Sequence, residues 1–271
     1  MNPSWQRITA LARKDAGELA RNPGAILPAL AMVLGALFPP FLVVVGAPMI
    51  AGRTLEESGE FAGAVDAIPV IPELAALSGN ALIQAFVFHQ FSLLLLLVPV
   101  VAAMSLATHA VIGEKTSKAL EPLLVTPIST VELLMAKTLT PFVFALALTW
   151  LAAVLYLIGI GVVAEPGVWQ AVLGARTAIL FGLLGPLVTL AALQLSVIVS
   201  SRATDPRSAQ QLTSLLIVPI TIVFVAQLMG AFVIGPAALL LGAVGCVALN
   251  AILLWIGVVT FERETILTRW R

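Results

Sequence analysis

Two histidines and three side-chain amides stand in long apolar stretches of the chain, where each needs a hydrogen-bonding partner. The histidines are His89 and His109, and the amides are Gln194, Gln227 and Asn250. An imidazole can bind a metal or exchange a proton, whereas an amide both donates and accepts hydrogen bonds. Because His89 and His109 fall in the outer part and at the opposite end of one apolar stretch, they cannot share a metal ion. Each histidine is therefore interpreted first as a hydrogen-bonding group between helices.

The composition determines what surrounds these side chains. Of the 271 residues, 60% are hydrophobic and 10% are charged, against about 45–50% and about 25% in soluble domains. An ordinary soluble globular protein is thereby excluded. Fourteen basic and fourteen acidic residues leave no net charge, so no basic excess indicates a nucleic acid partner. The single cysteine, Cys246, can form neither an internal disulfide nor a multi-thiolate metal site.

Sequence motifs of membrane enzymes are missing. The chain has no His-Glu-x-x-His metal helix and no Gly-x-Ser-x-Gly nucleophile elbow. It also has no Gly-x-x-x-x-Gly-Lys loop to hold the phosphates of a nucleotide. We therefore predict a chain that is not an enzyme and holds no metal or cofactor. Energy for any uphill transport would have to come from a partner.

The stretches without charge are long enough for membrane helices, each of which needs about 20 apolar residues. The last stretch is too long for one helix, and Gly235-Pro236 divides it. We predict one all-α transmembrane domain over residues 1–271. Its six spans are expected at about 24–52, 82–112, 138–164, 177–200, 212–234 and 237–261.

The basic residues orient these spans. Of the fourteen Lys and Arg residues, only Arg53 and Arg176 fall on one side of a six-span chain. Because cytoplasmic loops carry the excess of Lys and Arg, the other side is cytoplasmic. We predict a multi-pass protein of the inner (plasma) membrane with both termini in the cytoplasm. Residues 53–80 then form an acidic outer loop, which is interpreted as a solvated surface.

Residues 1–21 are predicted to form an amphipathic helix in the membrane interface, ending in the elbow Asn22-Pro23-Gly24. An alternative is a solvated helix packed on a partner protein. The apolar face of the amphipathic helix carries Trp5, Ile8, Ala12, Ala16 and Leu19.

Prolines should bend four of the spans, because each removes a backbone hydrogen bond. These prolines are Pro39-Pro40, Pro99, Pro186 and Pro219.

The three amides admit two interpretations in such a protein. Gln194, Gln227 and Asn250 could line a translocation path across the bilayer. They could equally bond one helix to the next, which is the commoner use of polar side chains in membranes. Both interpretations stay open at this level.

Residues 113–137, "GEKTSKALEPLLVTPISTVELLMAK", are predicted to form a compact cytoplasmic projection between spans 2 and 3. Glu114 and Lys118 form a favourable i,i+4 pair, and a ridge of leucines follows. Pro127 ends this first helix, and a capping box from Ser129 to Glu132 opens the next. The ridge consists of Leu120, Leu123 and Leu124.

This segment resembles the permease subunits of type 2 ABC exporters, a superfamily that includes sodium-efflux, antibiotic-efflux and polysaccharide-export permeases. The six-span plan and the N-terminal amphipathic helix agree with that family over the whole chain. Thr116, Lys118, Ala119 and Ala136 depart from its pattern. The matching residues are Glu114, Lys115, Leu120, Glu121, Leu123, Leu124, Pro127, Glu132, Leu133 and Lys137.

The resemblance implies a half-transporter that works as two permeases with two separate ABC ATPase subunits. ATP and Mg would bind to the ATPase, and the 113–137 segment would dock on it as a coupling helix. The loop that holds Arg202, Asp205 and Arg207 would add a smaller contact. The coupling residues implied are Glu114, Lys115, Lys118, Leu120, Glu121, Leu123, Leu124, Pro127 and Glu132, together with that loop.

Two other classes of protein fit the same residues. A membrane scaffold or assembly protein could use the 113–137 segment to bind a cytoplasmic partner without transporting anything. A secondary transporter is the other alternative, although the spans place no Asp or Glu away from their ends. Association with an ATPase separates an ABC permease from both classes.

Overall fold

The chain folds as a bundle of long helices. The computed structural model describes residues 17, 21–61, 64, 67–117, 130–202 and 206–260, and these ranges contain no strand. Six of the helices within them are long and apolar enough to cross a membrane, which confirms the predicted number of spans. The long helices are α1 (Pro23–Ala51), α2 (79–117), α3 (Thr130–Val163), α4 (175–202), α5 (206–228) and α6 (Pro236–Thr260).

Four of the long helices contain a segment that is not α-helical. In an α-helix the N–H of each residue bonds to the carbonyl four residues earlier, and proline has no N–H. Each of the four segments includes a carbonyl that loses its partner for this reason. In α1 the distortion lies before Pro48, whereas Pro39-Pro40 lie within the regular helix Pro23–Phe41. The segments are π-helical at Leu42–Gly46 and Leu180–Leu184, and 3₁₀-helical at Ser92–Leu96 and Ser214–Leu216.

The fifth helix ends earlier than the sequence indicates. It stops at Leu228, six residues before the predicted bound, and Gly230 turns the chain with a φ of 75°. Residues 229–235 are not helical. Pro236 opens α6 at a first-turn position that suits proline. Gly235-Pro236 therefore marks the start of α6, while the end of α5 is set by the turn at Gly230.

Helix α2 lies at the centre of the bundle. In an apolar 18-residue stretch of its span Gly79–Thr108, 83% of the residues are buried, against 44% or less in the corresponding stretch of each of the other five spans. It packs against α1, α3 and α4. Part of this packing uses small side chains, which let helices approach closely. That core includes Ala25, Ala29, Ala102, Ala103, Ala107, Ala145 and Ala192.

Three aromatic rings join α1, α2 and α3. The rings of Phe41, Phe88 and Tyr156 meet pairwise, with centroids 5.5–5.9 Å apart. Gly159 makes room for this cluster, since a Cβ there would lie 2.5 Å from Cζ of Phe41. The cluster fixes the spacing of three helices around α2.

We call the end of the bundle that carries residues 52–78, 164–174 and 229–235 the loop end. The first of these loops packs onto the helices, because Leu55, Ile71 and Leu74 are almost fully buried. It includes a short helix, Leu55–Ser58, with a capping box between Thr54 and Glu57. The loop thus packs through its apolar residues, while Glu56, Glu57 and Glu60 are exposed, as expected for a solvated acidic surface.

Candidate functional site

A polar cluster centred on Arg176 lies inside the loop end. Arg176 belongs to the first turn of α4 and is 0% exposed. Its Nε donates to the backbone carbonyl of Ile234 at 2.8 Å, and its Nη1 donates to Oγ of Ser92 at 2.6 Å. The guanidinium therefore connects α4 to α2 and to the segment that precedes α6.

His89 extends the cluster to a fourth element. Its Nδ1 lies 3.4 Å from Nη1 of Arg176, and its Nε2 lies 3.2 Å from the carbonyl of Ala171, in the short helix Val168–Val172. A guanidinium only donates, so Nδ1 accepts and the ring proton sits on Nε2, from which it is donated to Ala171. His89 thus acts as a hydrogen-bonding group between elements, as the sequence analysis expected. The described residues contain no group of His, Cys, Asp or Glu suited to a metal.

Glu73 approaches the same turn of α4 from the outer loop. Its Oε1 accepts from the backbone N–H of Ala175 at 3.2 Å, at the positive end of the helix. The Glu73 carboxylate packs closely against Gly174, because a Cβ on Gly174 would lie 2.6 Å from Oε1 of Glu73. Within the described part of this cluster, two buried atoms have no hydrogen-bond partner, Oε2 of Glu73 and Nη2 of Arg176. An acid and a base thus lie at neighbouring positions, and each has one unused atom.

Sequence reasoning placed Arg176 in an outer loop and assigned it no role. One signal was available: His89 and Ser92 are three residues apart, so they share one face of a predicted helix. A polar face on an apolar helix calls for a partner, but the sequence does not say which residue supplies it. The fold brings Arg176 to this face from 84 positions away.

Two of the three predicted path residues bond to each other. Nε2 of Gln194 on α4 donates to Oδ1 of Asn250 on α6 at 3.1 Å. Asn250 in turn donates to the carbonyls of Leu187 and Cys246, at 3.0 and 2.8 Å. These bonds hold α4 against α6. Lining of a path by Gln194 and Asn250 stays a prediction.

Gln227 has a different environment. It is 1% exposed on α5, and its backbone carbonyl accepts from Nε2 of Gln90 on α2 at 3.4 Å. The side-chain oxygens of Gln90 and Gln227 are both buried and have no hydrogen-bond partner in the part of the chain that the structure describes. Beside them, Phe91 and Phe224 pack edge to face at 5.5 Å. Two unsatisfied acceptors therefore lie between α2 and α5.

A groove of about 530 Å³ opens between α3 and α4 beside the first turn of α4. Its wall is mainly apolar and includes Ala153, Leu157 and Phe181. Trp150, which is half exposed, donates from Nε1 to the carbonyl of Phe181 at 3.2 Å. This bond ties the π-helical segment of α4 to α3.

Comparison with protein families decides what kind of membrane protein this is. Residues 9–239, well over half of the chain, match the family described as "ABC-2 family transporter protein". The chain belongs to the ABC-2 transporter family. It is accordingly a permease of an ABC transporter, a membrane component of transport rather than a catalytic subunit. No curated protein and no solved structure matches it.

The residues predicted to couple this ABC-2 permease to an ATPase lie mostly outside the described residues. Glu114 and Lys115 fall in the last turn of α2, and Glu132 falls in the first turn of α3. Arg202 ends α4, and Arg207 lies in the first turn of α5. The remaining predicted residues, Lys118, Leu120, Glu121, Leu123, Leu124, Pro127 and Asp205, lie outside the described ranges, as does the predicted amphipathic helix apart from Gly17 and Arg21.

Proposed function

We propose that this ABC-2 permease is one half of an ATP-driven exporter. It forms the translocation path and receives energy from a separate ABC ATPase, which binds ATP and Mg. The observation that carries the proposal is the family match over residues 9–239, since ABC permeases work with ABC ATPases. Both termini and residues 113–137 face the cytoplasm in this proposal, and the loop end faces outward.

The continuity of two helices supports the coupling role. Helix α2 is helical from Gly79 past Glu114 to Ser117, and beyond its 3₁₀ segment it is a regular α-helix from Leu97 onward. The described part of α3 begins seven residues before Lys137. At 1.5 Å per residue, α3 thus extends about 10 Å beyond its apolar part. Residues 118–129 connect two stiff helices. Movement imposed on them by an ATPase would pass to α2, around which the bundle is packed.

Within the bilayer we assign the path to the region of Gln227. Its buried amide oxygen lacks a partner, and an unsatisfied acceptor in hydrocarbon costs free energy unless some state supplies a donor. The side-chain oxygen of Gln194 is likewise buried without a partner among the described residues, but its amide nitrogen bonds to Asn250, and this pair holds α4 against α6. Water or a donor group on the exported molecule would satisfy Gln227 as it passes.

We propose a dimer of two permeases bound to two ATPases. Twofold symmetry is the commonest arrangement of homo-oligomers. Gly242 and Gly245 on α6 permit close approach of a second copy, since a Cβ on Gly245 would meet nothing within 4 Å. Mass measurement of the complex in nanodiscs tests this directly. A one-to-one complex that still transports would overturn the stoichiometry.

Reconstitution with the candidate ATPase tests the function as a whole. The expected result is stable association and transport into or out of vesicles that requires ATP and Mg. Association without transport under any condition would favour the scaffold instead. Transport that proceeds on an ion gradient without the ATPase would favour a secondary transporter, and either result would overturn the proposal.

A further inference from the structure

We propose that Arg176 is a two-position clasp at the loop end, bonded inward to Ser92 and Ile234 when the exit is closed and paired with Glu73 when it opens. This inference rests on the proposed function and deepens it, because it names the residues that control the outer end of the path. Arg176 acts here as a positioning residue, with no contact to the exported molecule required.

The inward bonds hold separate parts of the loop end together. Arg176 starts α4, Ser92 lies on α2, and Ile234 lies on the segment that leads into α6. Through His89 the same guanidinium reaches the short helix Val168–Val172. If these bonds were released together, four elements would lose their shared link. Arg176 is therefore a shared link among several contacts that close the loop end.

The energetics of this arrangement suit a clasp that has to open. All three inward hydrogen-bond partners of the guanidinium are neutral, and its Nη2 has no partner among the described residues. Removing a cation from water costs free energy, which contacts with neutral groups offset only in part. The net free energy that favours the inward position over the outward one is consequently small. An apolar side chain in the same place would gain nothing from leaving.

Glu73 provides the alternative position. Its Oε1 is anchored to the N–H of Ala175, next to Arg176 in the chain, while its Oε2 is buried and unpaired. The fully buried Leu74 holds this part of the loop in place. A pair between Oε2 and the guanidinium would satisfy both unused atoms with a charge-assisted bond. Glu73 already attracts the guanidinium in the inward position, and a direct bond would make that attraction stronger in the outward position, which is the differential contact that a two-state element needs.

The structure of α4 permits the required movement. The turn that holds Arg176, Ala175–Ile179, is followed directly by the π-helical segment Leu180–Leu184. Such segments occur often at functional sites, where the regular hydrogen bonding of the helix is interrupted. Trp150 fixes the carbonyl of Phe181 to α3. The first turn can therefore shift while the remainder of α4 stays packed.

The test measures access to the interior of the loop end. In a Cys246→Ser background, Ala85→Cys places a thiol one turn from His89 on the same face of α2, at a position that is 0% exposed. A membrane-impermeant maleimide is applied to each face of the membrane in turn. With the clasp intact, the thiol should react slowly from both faces.

Three variants then shift the clasp in stated directions. Arg176→Met should speed labelling from the loop-end face about tenfold, the factor that corresponds to 1.4 kcal/mol of lost closed-state stabilisation. Ser92→Ala should speed it less, and Glu73→Gln, which keeps the oxygen for Ala175 but removes the charge, should slow it. Arg53→Met is the matched control, because Arg53 is the exposed arginine of the same end, and it should leave the rate unchanged.

Parental labelling rates in both Arg176→Met and Ser92→Ala would overturn the clasp, as would fast labelling of the parent or faster labelling of Glu73→Gln. If Arg176→Met fails to insert, Ser92→Ala and Arg176→Lys decide the outcome, and Arg176→Lys should fall between parent and Met. Labelling needs neither substrate nor ATPase. A clasp that fails can therefore be told apart from a chain that is not an ABC exporter.

Discussion

The hydroxyl of Tyr156 on α3 donates to the backbone carbonyl of Phe88 on α2 at 2.6 Å, inside the aromatic cluster that also includes Phe41. Tyr156 is the single tyrosine of the chain and is 0% exposed. This bond joins the central helix to its neighbour within a few residues of the Arg176 cluster. It gives the loop-end half of the bundle a rigid frame.

Replacing Tyr156 by Phe should lower the free energy of unfolding by about 0.6–1.5 kcal/mol, the range for one hydrogen bond between helices in membranes or in buried cores. The ring packing is kept, so the loss reports the hydroxyl alone. Thermal unfolding in a mild detergent measures it. Trp255→Phe, at an exposed site on α6, should leave the unfolding temperature unchanged. Equal stability of both variants would contradict the assigned bond.

Gly235→Ala should displace the outer loop from the segment before α6. A Cβ at this position would lie 2.6 Å from the carbonyl oxygen of Val70 and 2.7 Å from its Cγ1. Backbone cannot yield as a flexible side chain does, so we expect a loss of about 1–3 kcal/mol, as for overpacking in a core. Proteolysis within the outer loop and thermal unfolding measure the effect.

Gly35→Ala is the matched control, because a Cβ there meets nothing within 4 Å. Alanine is favoured over glycine in a helix interior by up to about 1 kcal/mol, so this variant should be as stable as the parent or more so. If Gly235→Ala were equally benign, the close approach of Val70 to Gly235 would be refuted.

The membrane orientation predicts which cysteines can be labelled from outside. In a Cys246→Ser background, Glu60→Cys should react with an impermeant reagent in intact cells, because residue 60 is exposed in the outer loop. Ser117→Cys, Ser208→Cys and Thr268→Cys should react only after the membrane is permeabilised. The reason is the excess of Lys and Arg on their side of the bundle. Labelling of Ser117→Cys in intact cells would reverse the orientation.

Docking on the ATPase should depend on Leu124 and Glu121. A short segment beyond the bilayer has no core of its own for a leucine ridge, so the ridge is expected to bury against the partner. Truncation of a buried leucine costs roughly 2–5 kcal/mol, and each 1.4 kcal/mol weakens association tenfold. Leu124→Ala should therefore reduce co-purification with the ATPase by tenfold or more, and Glu121→Lys should weaken binding or uncouple hydrolysis from transport.

Membrane insertion should be normal in both coupling variants, because the sites lie outside the hydrocarbon. Co-purification and ATP-driven transport in vesicles are measured side by side. A solvated Glu121 paired only with Lys115 or Lys118 would contribute about 0–1 kcal/mol, and its reversal would change little. Parental values for both variants would therefore reject the segment as the coupling site.

Gln227 and Asn250 should respond in opposite ways to removal of their amides. Asn250→Ala takes away the acceptor of Gln194 and the donor to Leu187, so stability should fall by about 0.6–2 kcal/mol while transport per folded molecule is kept. Gln227→Leu removes an unsatisfied buried acceptor, so stability should hold or rise while transport falls. Val247→Ala, on the exposed face of α6, serves as control. Full transport by Gln227→Leu would exclude it from the path.

The number of membrane helices and their sequence bounds follow largely from the chain itself. Whether a stretch enters hydrocarbon depends on the transfer free energy of each residue, which can be added along the sequence. For this reason the absence of charge over residues 74–113 and 138–164 was sufficient to predict spans 2 and 3. The coupling role of residues 113–137 was likewise predicted from residues adjacent in the chain, and it stays a prediction.

The loop end could not be derived in this way. Arg176 lies 84 positions from Ser92 and 58 positions from Ile234, and its type alone predicts an exposed loop residue. Only the folded bundle stabilises the buried guanidinium, because it supplies acceptors from α2 and from the segment before α6. The same holds for Gly235, whose lack of a side chain matters because Val70 passes beside it. A hydrophobic span follows from the transfer free energies of its own residues, whereas a buried charge and a close backbone contact each require two distant parts of the chain to meet.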